Sequence, residues 1–108
     1  MGDEGGSEVR FRIGEGLVHR AVGGEVFVLM ADSTVHWLKN ASAVCLWSAI
    51  VAAGSGGIGT GPLARTLEAE FDVGSEGAEA DALAFVSDLV RLGVLATVVS
   101  VRGVRGAD

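Results

Sequence analysis

The sequence predicts an α+β fold in which a three-stranded antiparallel sheet precedes three helices, and three observations predict it. Two β-prone runs, Leu17 to Val22 and Glu25 to Met30, flank Gly23-Gly24, a dipeptide suited to the positive φ angles of a tight hairpin. A third such run, Thr34 to Leu38, follows a turn at Asp32-Ser33. From Asn40 onward the apolar spacing becomes helical, and the helical region ends at Gly93-Val94-Leu95. This order of parts is that of a small winged helix-turn-helix-like domain with its sheet placed first. It leaves the third strand with one side free, and a free strand edge beside a helix is a place to bind another peptide.

Each element has a local reason. Residues 1–8 are acidic and glycine-rich and read as a flexible N-terminal tail. Val9, Phe11 and Ile13 alternate with Arg10 and Arg12, which suits a short extended segment with one buried face. Asn40 and Ser42 are both competent caps for the first helix, where Ala43, Leu46, Trp47 and Ile50 fall at i, i+3, i+4 and i+7. Gly54 to Gly61 reads as a loop, because each glycine costs roughly 1 kcal/mol in a helix relative to alanine. Thr60 or Gly61 then caps a second helix with Pro62 in its first turn and Ala64, Leu67 and Phe71 as its inner stripe, broken by Asp72 to Gly77. The third helix is expected from about Ala78 to Leu92, with Ala82, Phe85, Val86 and Leu89 inward and Gly93 as C-cap. Val94 to Val101 is again β-prone. The chain is thus expected to divide into a domain over residues 9–96 and a C-terminal tail over 97–108.

Composition narrows the function classes. With 108 residues, 49% of them apolar and 20% charged, the chain suits one folded domain with a single modest core. Its net charge of -6, from 14 acidic and 8 basic residues, is a poor match for a phosphate backbone. The third helix makes the match worse, since Glu76, Glu79, Asp81 and Asp88 stand at or along it against Arg91 alone. Nucleic acid is therefore not an expected partner. Cys45 is the single cysteine, which excludes an internal disulfide and a multi-cysteine metal site and points to a reducing compartment. The N-terminus lacks the apolar core of a secretory signal, and no apolar run is long enough for a membrane span, so a cytoplasmic, soluble protein is expected. Cys45, His19 and His36 supply the thiol and imidazole groups, and no base or carboxylate pair accompanies them. The Gly54 to Gly61 run lacks the Gly-Lys-Ser/Thr ending of a phosphate loop. No catalytic residue, metal ligand or cofactor is expected.

Taken together, several segments resemble a known family. They are Gly24-Glu25 with the following strand to Met30, Thr34 to Leu38 leading into Asn40-Ala41-Ser42-Ala43 and Leu46-Trp47, and Leu63 to Phe71 followed by Asp72-Val73. Asp81-Ala82, Phe85-Val86, Leu89 and Gly93-Val94-Leu95 complete the set. From Val9 to Leu95 the chain is similar to the PqqD-like proteins, also called RiPP recognition elements. That resemblance implies a winged-helix fold and a noncatalytic role. It further implies binding of the leader segment of a ribosomally made precursor peptide, added as a strand beside the third strand and against the third helix. The bound peptide would pass to a modifying enzyme such as a radical SAM protein, a cyclase or a leader peptidase. One departure stands out: the family has Leu-Asn directly before the first helix, whereas here Lys39 separates Leu38 from Asn40. A one-residue slip exchanges the faces of a strand, so the sequence leaves open whether Trp37 or Leu38 faces the core.

The expected peptide-binding residues are Val35, His36, Trp37 and Leu38 as the pairing edge and Ala82, Leu83, Val86 and Val90 as the helix wall. The apolar arc of the third helix spans about half its circumference, wider than the roughly 100° stripe that one-sided packing needs. The competing explanation of that surplus is cover by Val98, Val99 and Val101 of the C-terminal segment. Two other functional classes compete as well: a winged-helix DNA-binding regulator, and a structural module that forms a homodimer through the same strand edge.

Overall fold

The computed structural model describes residues 7–101. Gly23 and Gly24, with φ of 60° and 81°, form the tight turn between β2 (Val18–Val22) and β3 (Glu25–Leu29). A second turn leads into β4 (Val35–Leu38): Met30 N donates to Thr34 O, Ser33 N donates to Met30 O, and Ser33 sits at a φ of 73°. These strands make the expected antiparallel sheet in the order β2-β3-β4. Val26 and Val28 of β3 are buried, while β2 is exposed along its whole length.

α1 (Ala41–Ala53) begins where Asn40 Oδ1 accepts the Ala43 amide at 2.8 Å, and it buries Leu46, Trp47 and Ile50. Asn40 is therefore the cap, and the Ser42 hydroxyl donates to the same Oδ1. The glycine tract is a single 3-10 turn over Gly54–Gly56 and then a bridge in which Phe11 and Ile58 exchange both backbone bonds at 2.9 Å. α2 (Thr60–Glu70) starts one residue earlier than expected, with Gly59 at the cap and Pro62 inside its first turn. α3 (Ser75–Arg91) also starts earlier, from Gly74, because Gly77 lies on an open surface where its cost near a helix end is small. It closes with Gly93 at a φ of 82°, where Val94 N donates to Leu89 O and Gly93 N to Val90 O.

The C-terminal segment differs from expectation. It is a strand, β5 (Leu95–Val101), and it pairs antiparallel with β1 (Ser7–Ile13) over its full length. Among the described residues the sheet content is thus three strands plus a separate two-stranded ribbon; residues 97–101, expected in the C-terminal tail, continue β5, while residues 1–6 and 102–108 of the two expected tails lie outside the described residues. Gly14 seals the junction: a side chain there would meet the carbonyls of Gly93 and Val94 at 3.0 Å. The core lies among α1, α2, α3 and β3, with Leu46, Ile50, Leu63, Leu67, Val28, Val86 and Val94 essentially free of solvent contact. No helix among the described residues is long and apolar enough to cross a membrane.

Candidate functional site

The register of β4 answers the question that Lys39 raised. Val26 pairs with Leu38 and Val28 with His36, so Leu38 and His36 lie under the sheet and are half-buried. Trp37 and Val35 lie on the outer face and are more than half exposed. Trp37 is nonetheless held in place. It stacks on Phe27 at 5.3 Å, its Nε1 donates to Glu25 Oε1 at 2.9 Å, and Lys39 Nζ sits 4.5 Å above its ring.

Hydrogen-bond alternation then says which backbone groups are free. Since Met30 bonds Thr34, the next bonded pairs of an antiparallel ladder are Val28 with His36 and Val26 with Leu38. The amides and carbonyls of Val35 and Trp37 therefore point to the open side. β4 is an outer strand of the sheet among the described residues, and β5, spent on β1, does not cover it.

Beside β4 runs a shallow channel made of two hollows. One, of about 490 Å³, is lined by Met30, Thr34, His36, Arg91 and Leu92 among others. The second, of about 260 Å³, lies between the start of α1 (Asn40, Ser42) and Asp81, Phe85 and Asp88 of α3. Arg91 donates to Asp88 at 2.8 Å, which joins the two walls along α3. At the turn, Asp32 accepts the Thr34 amide at 3.0 Å, and that bond holds its carboxyl below the usual carboxylate range.

The helix wall is corrected by this geometry. Ala82 and Val86 have no exposed surface and belong to the core, as the inward stripe with Ala78 and Leu89 requires. Leu83 is exposed and Val90 half-buried, but helical spacing puts both on the flank away from the channel. The channel side of α3 is Asp81, Ala84, Phe85, Asp88, Arg91 and Leu92. Read as a solvated acidic face, these residues carried little signal; Phe85 at the border of the inward stripe was the one clue. Cys45 is half-buried in α1, where burial first and Glu70 second push its thiol up. No cluster of metal-ligating side chains occurs among the described residues.

With fold and channel defined, the relatives can be placed. The chain belongs to the PqqD family: the family described as coenzyme PQQ synthesis protein D (PqqD) matches residues 25–95. Two solved structures share its fold. TbiB1 in complex with the TbiA(β) leader peptide superposes with a TM-score of 0.68 at 22% identity, covering 78% of this chain and 93% of that one. Lasso peptide synthetase B1 complexed with the leader peptide gives 0.67 at 20% identity, covering 81% and 98%. Among curated proteins none matches this sequence.

Proposed function

We propose that this chain is a noncatalytic recognition protein that binds the leader segment of a ribosomally synthesised precursor peptide and presents it to a modifying enzyme. The carrying observation is the open β4 edge, where the Val35 and Trp37 backbone groups have no partner among the described residues beside the α3 channel. Two of its structural relatives are themselves complexes with leader peptides, which supports the reading. An incoming strand gains main-chain bonds worth about 0.5 to 1.5 kcal/mol each. Alternate side chains of that strand drop toward the two hollows and supply the selectivity. The Met30 and Leu92 end suits an apolar side chain, and the Asp81 and Asp88 end suits a polar or basic one. Both the leader and a partner enzyme such as a radical SAM protein, a cyclase or a leader peptidase would be met in the cytoplasm, where the precursor is made.

The test is a fluorescence-anisotropy titration with the leader segment of a short precursor peptide, to be sought among the reading frames that neighbour this chain's gene. Saturable binding that perturbs the Val35 and Trp37 amides in NMR spectra supports the proposal. A leader that does not bind, or that binds while leaving both amides unmoved, refutes it.

A further inference from the structure

The three-stranded sheet has a second outer strand, β2, and its edge is also open among the described residues. β3 bonds β4 through Val26 and Val28, so it bonds β2 through Glu25, Phe27 and Leu29, opposite Val22, Arg20 and Val18. The amides and carbonyls of His19 and Ala21 are left pointing away from the sheet. Their side chains turn underneath, in register with Val28 and Val26, and floor a cleft of about 290 Å³ against α1. Val44, Trp47 and Val51 form its apolar wall, with the His19 ring edge-on to Trp47 at 5.2 Å. An adjoining hollow of about 310 Å³, lined by Arg12 and Ile13, shares His19 and Val51 with it, so the cleft runs along the strand.

We infer that this edge is a second docking site, which takes an extended strand carrying apolar and acidic residues from the enzyme that processes the bound leader. At about 290 Å³ the cleft is below the usual size of a cofactor site, roughly 300 to 1,000 Å³, yet wide enough for side chains of an added strand. Such a strand pairs with the open His19 and Ala21 groups and drops every second side chain toward Trp47.

Charge selects the occupant. Arg20 is exposed at the centre of β2, whereas Arg12, at one end of the cleft, lies 3.8 Å from Glu15 and is already paired, so the selection rests on Arg20. A second copy of the chain pairing over all of β2 would set Arg20 against Arg20, a like-charge cross-strand pair. An acidic residue at that position is attracted instead. The channel beside β4 carries Asp32 and Asp81 together with Asp88, which is paired with Arg91. Strands lie about 4.8 Å apart, so β2 and β4 are about 10 Å apart and both edges can be occupied together. That the occupant comes from the processing enzyme rests on the leader-binding proposal; the cleft and its charge preference do not.

The direct probe is acetyl-Ser-Thr-Ile-Glu-Phe-Thr-Ser-amide, whose Ile and Phe share one face while Glu meets Arg20. Titrated into isotope-labelled protein, it is expected to shift the His19 and Ala21 amides and the Trp47 indole saturably and to leave Val35 and Trp37 unmoved. Replacing its Glu with Lys should weaken binding roughly two- to fivefold, and Arg20→Glu should reverse that preference. Absence of saturable shifts at several millimolar peptide, or shifts confined to β4, overturns the inference. So does a dimer of the free chain that Ala21→Pro dissociates, since the edge then serves a second copy. With the leader already bound, the peptide shifts should persist; competition between the two ligands overturns the two-edge arrangement. Failure of the leader to bind while the peptide shifts remain removes the leader reading and leaves the cleft. For the enzyme itself, Arg20→Glu should slow processing of the precursor at unchanged leader affinity, and an unaffected rate refutes the assignment of the partner.

Discussion

The two outer strands of one sheet present different faces to an incoming peptide. On β4 the residues with open backbone groups, Val35 and Trp37, carry their side chains on the outer face, away from α3. On β2 the corresponding residues, His19 and Ala21, carry theirs underneath, into the α1 cleft. The difference follows from β3, which bonds one neighbour through its inward residues and the other through its outward ones. An antiparallel strand bonded to β4 therefore reaches the α3 channel through its non-bonded positions, whereas one bonded to β2 reaches the cleft through its bonded positions. Side-chain preference and main-chain pairing are coupled differently at the two edges, and the exposed charge differs as well: Arg20 on β2, Asp32 and Asp81 beside β4.

Proline substitutions break this comparison most severely. Val35→Pro removes a donor that faces the open side, so leader affinity should fall at least about tenfold in a protein that still folds. Ala21→Pro removes the equivalent donor on β2 and should leave leader affinity unchanged. His36→Pro is different again, because its amide belongs to the ladder with Val28; there thermal unfolding should report a loss of about 1 to 3 kcal/mol. Equal effects of Val35→Pro and Ala21→Pro on leader binding would mean that the two edges are not distinct sites.

Next in size is the correction to the α3 wall. Val86→Ala deletes two methyl groups from a side chain with no solvent exposure, so denaturant unfolding should show a loss of about 2 to 3 kcal/mol. Leu83→Ala, on the exposed flank away from the channel, should change stability by no more than about 0.5 kcal/mol and leader affinity hardly at all. Phe85→Ala, between core and channel, should lower both.

That contrast also marks how far the sequence could be read. Features with a local cause were legible: the Gly23-Gly24 hairpin, the Asn40 cap, the α1 stripe through Leu46, Trp47 and Ile50, and the Gly93 terminus. What depends on distant partners was not. Val9, Phe11 and Ile13 alternate, and Val94 to Val101 is β-prone, but nothing local says that these two ends of the chain pair with each other. The flank of α3 that faces β4 is set by how the helix packs on α2 and β5, and apolar periodicity alone places the core stripe without saying which border becomes the channel. The facing of Trp37 and Leu38 likewise needed the register with β3.

A smaller effect sharpens the β4 side. Asn40 caps α1 and lines the channel at once, so Asn40→Ala should cost about 1 kcal/mol of stability through the lost bond to Ala43. Asn40→Asp keeps the acceptor and should restore stability. Its added negative charge beside Asp81 and Asp88 should then raise affinity for a leader with a basic residue at that position, which a titration at low and high salt would resolve.

The smallest effect concerns the turn that sets the start of the β4 edge. Asp32 lies in water and accepts the Thr34 amide, and Ser33 beside it holds a φ of 73°, so the bond favours a backbone conformation that serine seldom adopts. The folded carboxyl titrates below its unfolded value because the backbone bond of Thr34, before any other influence, favours the charged form. A depressed carboxyl contributes stability above its unfolded pKa, and that contribution is lost as pH falls through the lower folded value. Acidification below about pH 4 should therefore loosen the turn ahead of Val35. The Thr34 amide resonance is expected to move with a midpoint below that of a free aspartate. Asp32→Ala should abolish the titration and, at neutral pH, weaken leader binding by roughly twofold, since water competes fully for an exposed bond. A Thr34 amide that titrates at the ordinary carboxylate value would separate the turn from the edge it is argued to hold.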